Sequence, residues 1–124
     1  GLRGLSLHLA HRVLRSFLEA YRVVADQLVL RPPGLAVDAD ALVAGCVPVA
    51  RQYHLQQRVH SSESISEELF RTALRLTGNR DLLGPGDAGL TRRRAEFAAE
   101  LREVLQRVER ISELALRRTE AALP

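Results

Sequence analysis

Four histidines and one cysteine are the residues whose types suit acid–base, nucleophilic or metal chemistry in this chain of 124 residues. His8 and His11 stand three apart on one face of a predicted helix, but no third ligand is placed near them, and catalytic zinc needs three protein ligands. Cys46 has no base among its sequence neighbours and lies on an apolar stripe, so we interpret it as a small buried side chain. We predict no catalytic, cofactor-binding or metal-binding residue.

The other two histidines flank the end of a predicted helix. His54 and His60 stand on either side of a Gln-Gln-Arg segment, where an imidazole either caps backbone carbonyls or faces water. We favour these two roles over catalysis.

Apolar spacing predicts four helical segments separated by three breaks, which is an all-α, four-helix bundle-like fold in one domain of residues 1–124. The first helix should run from about Leu5 to Val29 and end before Pro32–Gly34. The second should run from about Asp38 or Asp40 to Arg58. Pro48 lies inside it, so we predict a kinked second helix.

The third helix should begin at or near Ser64, because Ser64 and Glu67 have the spacing of a capping box, and Gly78-Asn79 should stop it. The loop from Gly78 to Gly89 follows, with Leu82 and Leu83 expected to tuck back onto the bundle.

The last helix should start near Thr91 as its N-cap. Its apolar positions have the mean spacing of a coiled-coil seam: Phe97, Leu101, Val104, Val108, Ile111 and Ala115. Glu103–Arg107 and Glu113–Arg117 add ion pairs in the favourable orientation. We favour the first helix as the partner of this seam over a second copy of the chain.

Charge gives little indication of a nucleic-acid partner, and we predict none. The chain has 18 basic residues, all arginine, against 15 acidic ones, for a net charge of +3. The densest run is Arg92-Arg93-Arg94 at a predicted helix start, where cations are disfavoured. An anionic headgroup or an acidic protein surface could offset it, but we favour three solvated arginines beside Glu96 and Glu100.

Two features of the sequence bear on the cellular compartment. The single cysteine forbids an internal disulfide and fits a reduced, cytoplasmic setting, and no secretory signal is recognisable at the start. The longest uncharged run, Ala41–Ala50, is far shorter than the roughly 20 residues that a membrane span needs. Peripheral contact at the cytoplasmic face of the membrane stays open, although we favour packing of the amphipathic helices into a bundle.

Three stretches resemble one family. The central stretch Gln52–Leu76 resembles the C-terminal region of bacterial glycerol-3-phosphate 1-O-acyltransferases, with its Q-Y-x-L-Q-x-R, S-x-E-S-x-S and L-F-x-x-A-L-x-L succession. Phe17–Asp26 looks like the family's F-x-E-A-Y-x-V-V-A-D segment, and Arg93–Ile111 looks like its last helix. The resemblance extends from about Phe17 to Leu114.

The resemblance implies an enzyme family that transfers an acyl group from acyl-CoA or acyl carrier protein to glycerol-3-phosphate in phospholipid synthesis. Its chemistry depends on a His-x-x-x-x-Asp motif, in which the histidine is the general base. That motif is absent here, because the residues five positions after the four histidines are Val13, Ser16, Val59 and Ile65.

The resemblance therefore implies a non-catalytic helical domain whose partner is the missing catalytic domain of the same polypeptide. The absence of any methionine supports a piece of a longer chain. The alternative is a free-standing helical interaction protein that pairs through the Phe97–Ala115 seam.

Overall fold

The computed structural model describes the backbone of residues 2–56, 59 and 65–122, and the side chains of residues 13–56, 59, 65–111 and 113–114. Within those residues it contains helices and no strand, so the all-α prediction is confirmed. The helices are α1 (Leu2–Val29), α2 (Ala39–Leu55), α3 (Glu67–Asn79) and α4 (Ala88–Ala122). That residues 1–124 make a single domain stays a prediction.

The first helix ends where the sequence predicts. Two prolines follow α1 and cannot continue it, and its last turn tightens as Leu30 N donates to the Gln27 carbonyl at 3.2 Å and Arg31 N donates to the Leu28 carbonyl at 3.1 Å. The start of α1 lies at Leu2, slightly before the predicted Leu5.

The second helix begins at Ala39, within the predicted start of about Asp38 or Asp40, and Asp38 is its N-cap. The Asp38 carboxylate accepts hydrogen bonds from Asp40 N at 3.1 Å and from Ala41 N at 3.5 Å, which satisfies backbone donors at the helix start. The helix passes through Pro48 without ending and stops at Leu55, short of the predicted Arg58. The kink predicted at Pro48 is not shown and stays a prediction.

The third helix begins near Ser64, as predicted, but Ser64 is not its N-cap. Ser66 is the N-cap, and its hydroxyl accepts a hydrogen bond from Leu69 N at 3.4 Å. This frame places Glu67 and Glu68 in the first turn, where the positive end of the helix dipole favours carboxylates. Ser64 itself lies outside the described residues.

The predicted N-cap of the last helix, Thr91, is also wrong. Asp87 precedes α4, and its carboxylate accepts a hydrogen bond from Gly89 N at 2.9 Å. A carboxylate at this position satisfies a backbone donor and interacts favourably with the positive end of the helix dipole, so the helix begins before Thr91. Thr91 lies exposed inside the first turns of α4.

The core surrounds α1, which packs against each of the other helices, while α2 also packs against α3. Aliphatic side chains fill it, which permits close helix–helix approach. The fully buried apolar residues include Ala20, Val23, Val24, Ala25 and Leu28 of α1, Leu42, Val43, Cys46 and Ala50 of α2, and Phe70 and Ala73 of α3.

Part of the predicted apolar seam of α4 is buried in the bundle. Phe97 and Leu101 are buried, and α4 packs chiefly on α1, as predicted for the partner of this seam. Toward the end of the helix Ile111 is exposed. The predicted pair Glu103–Arg107 is present, with Arg107 Nη2 donating to Glu103 Oε1 at 2.6 Å, whereas the side chain of Arg117 lies outside the described residues.

The loop between α3 and α4 returns to the core, as predicted. Leu82 is buried and Leu83 is half-buried. Gly84 has a φ of +73°, a backbone conformation that favours glycine, and a Cβ there would lie close to two side chains, 3.1 Å from Leu90 Cδ2 and 3.3 Å from Arg94 Nη2. Gly86 N donates to the Pro33 carbonyl at 2.6 Å, which fastens the loop to the segment after α1.

No helix in the described part of the chain combines the length and the apolar character that a membrane span requires.

Candidate functional site

Asp26 of α1 is the point where three helices exchange polar contacts. Tyr53 of α2 donates its phenol hydrogen to Asp26 Oδ2 at 3.1 Å. Arg102 of α4 donates from Nη2 to Asp26 Oδ1 at 3.0 Å, and Arg22 Nε lies 3.7 Å from Oδ2. Both carboxylate oxygens are therefore engaged, and the side chain is largely buried. We call these four residues the Asp26 junction.

The Asp26 junction is braced by a cation–π contact. The guanidinium carbon of Arg22 lies 5.6 Å from the centroid of the Tyr53 ring. This contact places Arg22 against both the Tyr53 ring and the Asp26 carboxylate.

An open groove of about 520 Å³ lies over the Asp26 junction. Gln27, Val29 and Leu30 complete its lining. Its charged groups are the two arginines and the carboxylate of the junction, which already contact one another. Both oxygens of the carboxylate are already engaged by Tyr53 and the two arginines. The arrangement suits fastening of helices better than proton transfer.

Arg94 of α4 is a second polar centre and is only 1% exposed. Its Nε donates to the Leu82 carbonyl at 2.8 Å, and Nη1 donates to the carbonyls of Leu28 at 3.4 Å and Arg31 at 3.2 Å. Leu28 and Arg31 lie at the C-terminal end of α1, where unsatisfied carbonyls and the negative end of the dipole favour a cation. Nη2 has no hydrogen-bond partner within the described residues.

Burial has an electrostatic consequence at Arg94. Desolvation of the guanidinium lowers its pKa below the ordinary arginine value. The group remains a cation at neutral pH because arginine starts from so high a value. One buried cation thus joins α1, the α3–α4 loop and α4.

The expectation of three solvated arginines at positions 92–94 is wrong for Arg94. Arg92 and Arg93 are exposed, whereas Arg94 points into the core. Helical geometry explains the difference, since Leu90, Arg94, Phe97 and Leu101 fall on one face and share the surface that meets α1. Neither an anionic headgroup nor an acidic protein surface is needed to offset Arg94.

Aromatic side chains join α1 to α4 at a third place. The Tyr21 ring lies 5.0 Å from the Phe97 ring in an edge-on arrangement and 5.5 Å from the Phe17 ring. The guanidinium of Arg80 lies 4.7 Å from the Phe97 centroid, which adds a cation–π contact. Burial raises the pKa of the Tyr21 phenol, although nearby Arg80 opposes the shift.

Two of the remaining candidates for chemistry, Cys46 and His54, have structural roles. Cys46 is buried, as predicted, and desolvation raises the pKa of its thiol to about 12. His54 Nδ1 lies 2.9 Å from the Val59 carbonyl, which matches the predicted carbonyl-capping role. The side chains of His8, His11 and His60 lie outside the described residues. Among the described residues no group of three histidine, cysteine or acidic side chains could hold a metal ion.

The fold and these contacts define an all-helical chain whose polar side chains fasten helices to one another. Residues 2–86 match the family described as the glycerol-3-phosphate acyltransferase C-terminal region, and the chain belongs to that family.

Relatives extend the match beyond the family region. Proteins named putative acyltransferase plsB1, from Mycobacterium bovis and from two strains of Mycobacterium tuberculosis, are 43% identical to the chain over 117 residues. The match covers 94% of this chain but 19% of each relative, so the chain spans about a fifth of their length. No solved structure matches the chain.

The family-like stretches coincide with the contacts between helices. Asp26 closes the Phe17–Asp26 segment, and Tyr53 belongs to the Q-Y-x-L-Q-x-R motif, so their hydrogen bond joins two of the stretches that carry the resemblance. Phe70, Ala73 and Leu74 of the L-F-x-x-A-L-x-L motif are buried in the core.

Two contributors were missed by sequence reasoning. Arg94 was hidden in a run of arginines, and the only available signal was its helical register with Phe97 and Leu101. Arg102 reaches Asp26 across 76 positions of the chain, and nothing in the local sequence indicates that pairing.

Proposed function

We propose that this chain is the C-terminal, non-catalytic helical domain of a longer acyltransferase. That enzyme would transfer an acyl group from acyl-CoA or acyl carrier protein to glycerol-3-phosphate, the first acylation of phospholipid synthesis. The family match and the relatives named as acyltransferases support this proposal. The chain itself would brace the catalytic domain of the same polypeptide.

One observation carries the bracing role: three polar residues of the family-like stretches, Asp26, Tyr53 and Arg94, contact other helices. Asp26 and Tyr53 bond to each other, and Arg94 bonds to backbone carbonyls of two other segments. Such contacts specify how helices pack. The absent His-x-x-x-x-Asp motif agrees with this role.

The setting that we propose is cytoplasmic, with peripheral contact at the inner membrane face through the larger enzyme. A single buried thiol is compatible with a reducing compartment. No cofactor or metal is part of the proposal, and neither is a nucleic-acid partner.

The competing role is a free-standing interaction module that pairs through the Phe97–Ala115 seam. Burial of Phe97 and Leu101 speaks against it, because α1 already covers that half of the seam. A self-pairing chain would have to use the remainder, around Val108 and Ile111.

The decisive experiment measures acyl transfer to glycerol-3-phosphate with radiolabelled acyl-CoA and with acyl-charged carrier protein. The 124-residue chain and the complete polypeptide that carries it would be made in a host lacking its own glycerol-3-phosphate acyltransferase. We expect turnover by the complete polypeptide and none by the chain, with circular dichroism showing that the chain is helical. Turnover by the pure chain, or none by the complete polypeptide, would overturn the proposal.

A further inference from the structure

The two long helices extend past the two short ones. At a rise of about 1.5 Å per residue, α1 and α4 are about 42 and 52 Å long, whereas α2 and α3 are about 26 and 20 Å long. Among the described side chains, the first buried residue of α1 is Ser16 and the last buried residue of α4 is Leu105. Beyond these two residues, every described side chain of the two helices is half-buried or exposed.

An ion pair joins the two helices where the core stops. Arg15 Nη2 donates to Glu109 Oε1 at 2.9 Å, and Arg15 Nε lies 3.5 Å from Glu19 Oε1. We call the segments beyond this pair, residues 2–14 of α1 and 110–122 of α4, the arm.

Large apolar side chains of the arm are exposed on both helices. Val13 is 67% and Leu14 is 49% exposed on α1, while Ile111 is 61% and Leu114 is 55% exposed on α4. Single exposed hydrophobic residues are ordinary on protein surfaces. We call these four side chains, two on each helix beyond the interhelical ion pair, the apolar surface of the arm; all four are exposed among the described residues.

Resting on the proposed function, we infer that the arm packs against the catalytic part of the same polypeptide. The match covers 19% of the length of each relative, and the matching family region is described as C-terminal. Most of each relative's length therefore precedes the matched segment. A preceding segment connects through the start of α1, which is the arm itself. That connection gives the apolar surface a high effective concentration of this occupant.

Cysteine footprinting in the complete polypeptide tests this inference. Ile111→Cys would be compared with Leu30→Cys, because Leu30 is 74% exposed and lies at the opposite end of α1. A maleimide labels each variant, and mass spectrometry of the peptide gives the labelling rate. Cys46 contributes little because it is buried.

We expect the cysteine at position 111 to label at least about tenfold more slowly than the cysteine at position 30, independently of protein concentration and of lipid. Equal rates would overturn the inference. Protection that grows with protein concentration would identify a second copy as the occupant, and protection that needs anionic vesicles would identify a membrane; either result also overturns it.

Acyl transfer measured on the same samples separates the two proposals. An active polypeptide with an unprotected Ile111→Cys site refutes the docked arm and leaves the proposed function standing. A protected site in a polypeptide that cannot acylate glycerol-3-phosphate refutes the proposed function and leaves the docked arm.

Discussion

Tyr53 donates its phenol hydrogen to Asp26 at 3.1 Å, and this single bond joins two stretches of sequence that are 27 positions apart. Both stretches carry the resemblance to the acyltransferase C-terminal region. The bond therefore helps to hold α2 against α1.

Removal of this bond should weaken the fold modestly. Tyr53→Phe keeps the ring and its contact with Arg22 but loses the hydrogen bond, so we expect a loss of about 1 kcal/mol in the free energy of unfolding. Urea unfolding of Tyr53→Phe, Asp26→Ala and the double variant forms a thermodynamic cycle. Strict additivity of the two single effects would show that the bond contributes nothing.

Removal of the buried Arg94 guanidinium should lower the free energy of unfolding more than removal of the Tyr53 hydroxyl. Arg94→Met preserves much of the side-chain volume but strips three backbone carbonyls of their donor, and we expect a loss of about 2–3 kcal/mol. Arg92→Met and Arg93→Met are the matched controls, because those side chains are exposed, and each should lie within about 0.5 kcal/mol of the parent. Equal effects at all three positions would contradict the role given to Arg94.

Cys46 should make stability fall at alkaline pH. Burial raises the folded-state pKa of its thiol from 9.0 to about 12, so between these values the folded chain retains a proton that the unfolded chain releases. Stability from this group is complete below pH 9.0 and is lost as the pH rises toward about 12. The difference in unfolding free energy between the parent and Cys46→Ala, measured from pH 8 to the alkaline limit of reversibility, should shift against the parent as pH rises. A pH-independent difference would refute the buried thiol.

Replacement of Asp81 by glycine should stabilise the fold. Its φ is +56°, a left-handed conformation just after α3 that costs most residues about 1–2 kcal/mol and costs glycine little. Asp81→Gly should therefore raise the melting temperature, whereas Asp81→Ala, which keeps the conformational penalty, should not. If both variants melt below the parent, the Asp81 side chain itself stabilises the fold and the prediction is wrong.

The fold class could be read from the sequence because apolar residues recur at helical spacing and proline or glycine marks the breaks. The C-terminal end of α1 and the start of α2 next to Asp38 follow from local chemistry. The N-caps of α3 and α4 were misplaced because Ser64 and Ser66, or Asp87 and Thr91, are alternative caps. Which cap is used depends on the register that buries each helix face.

The polar centres were harder to foresee. Asp26, Arg102 and Arg94 look like ordinary surface charges in the sequence. The antiparallel packing of α4 on α1 pairs Arg102 with Asp26 and buries Arg94. Long-range pairing of this kind leaves no local periodic signal.

Bracing of a catalytic domain is the central claim, and thermal inactivation tests it most directly. The complete polypeptide would be compared with a version that ends immediately before Gly1, with acyl transfer to glycerol-3-phosphate measured after heating each sample over a temperature series. Our account predicts that the shortened enzyme is inactive or loses its activity at a markedly lower temperature. A shortened enzyme with undiminished activity and unchanged heat resistance would contradict the account.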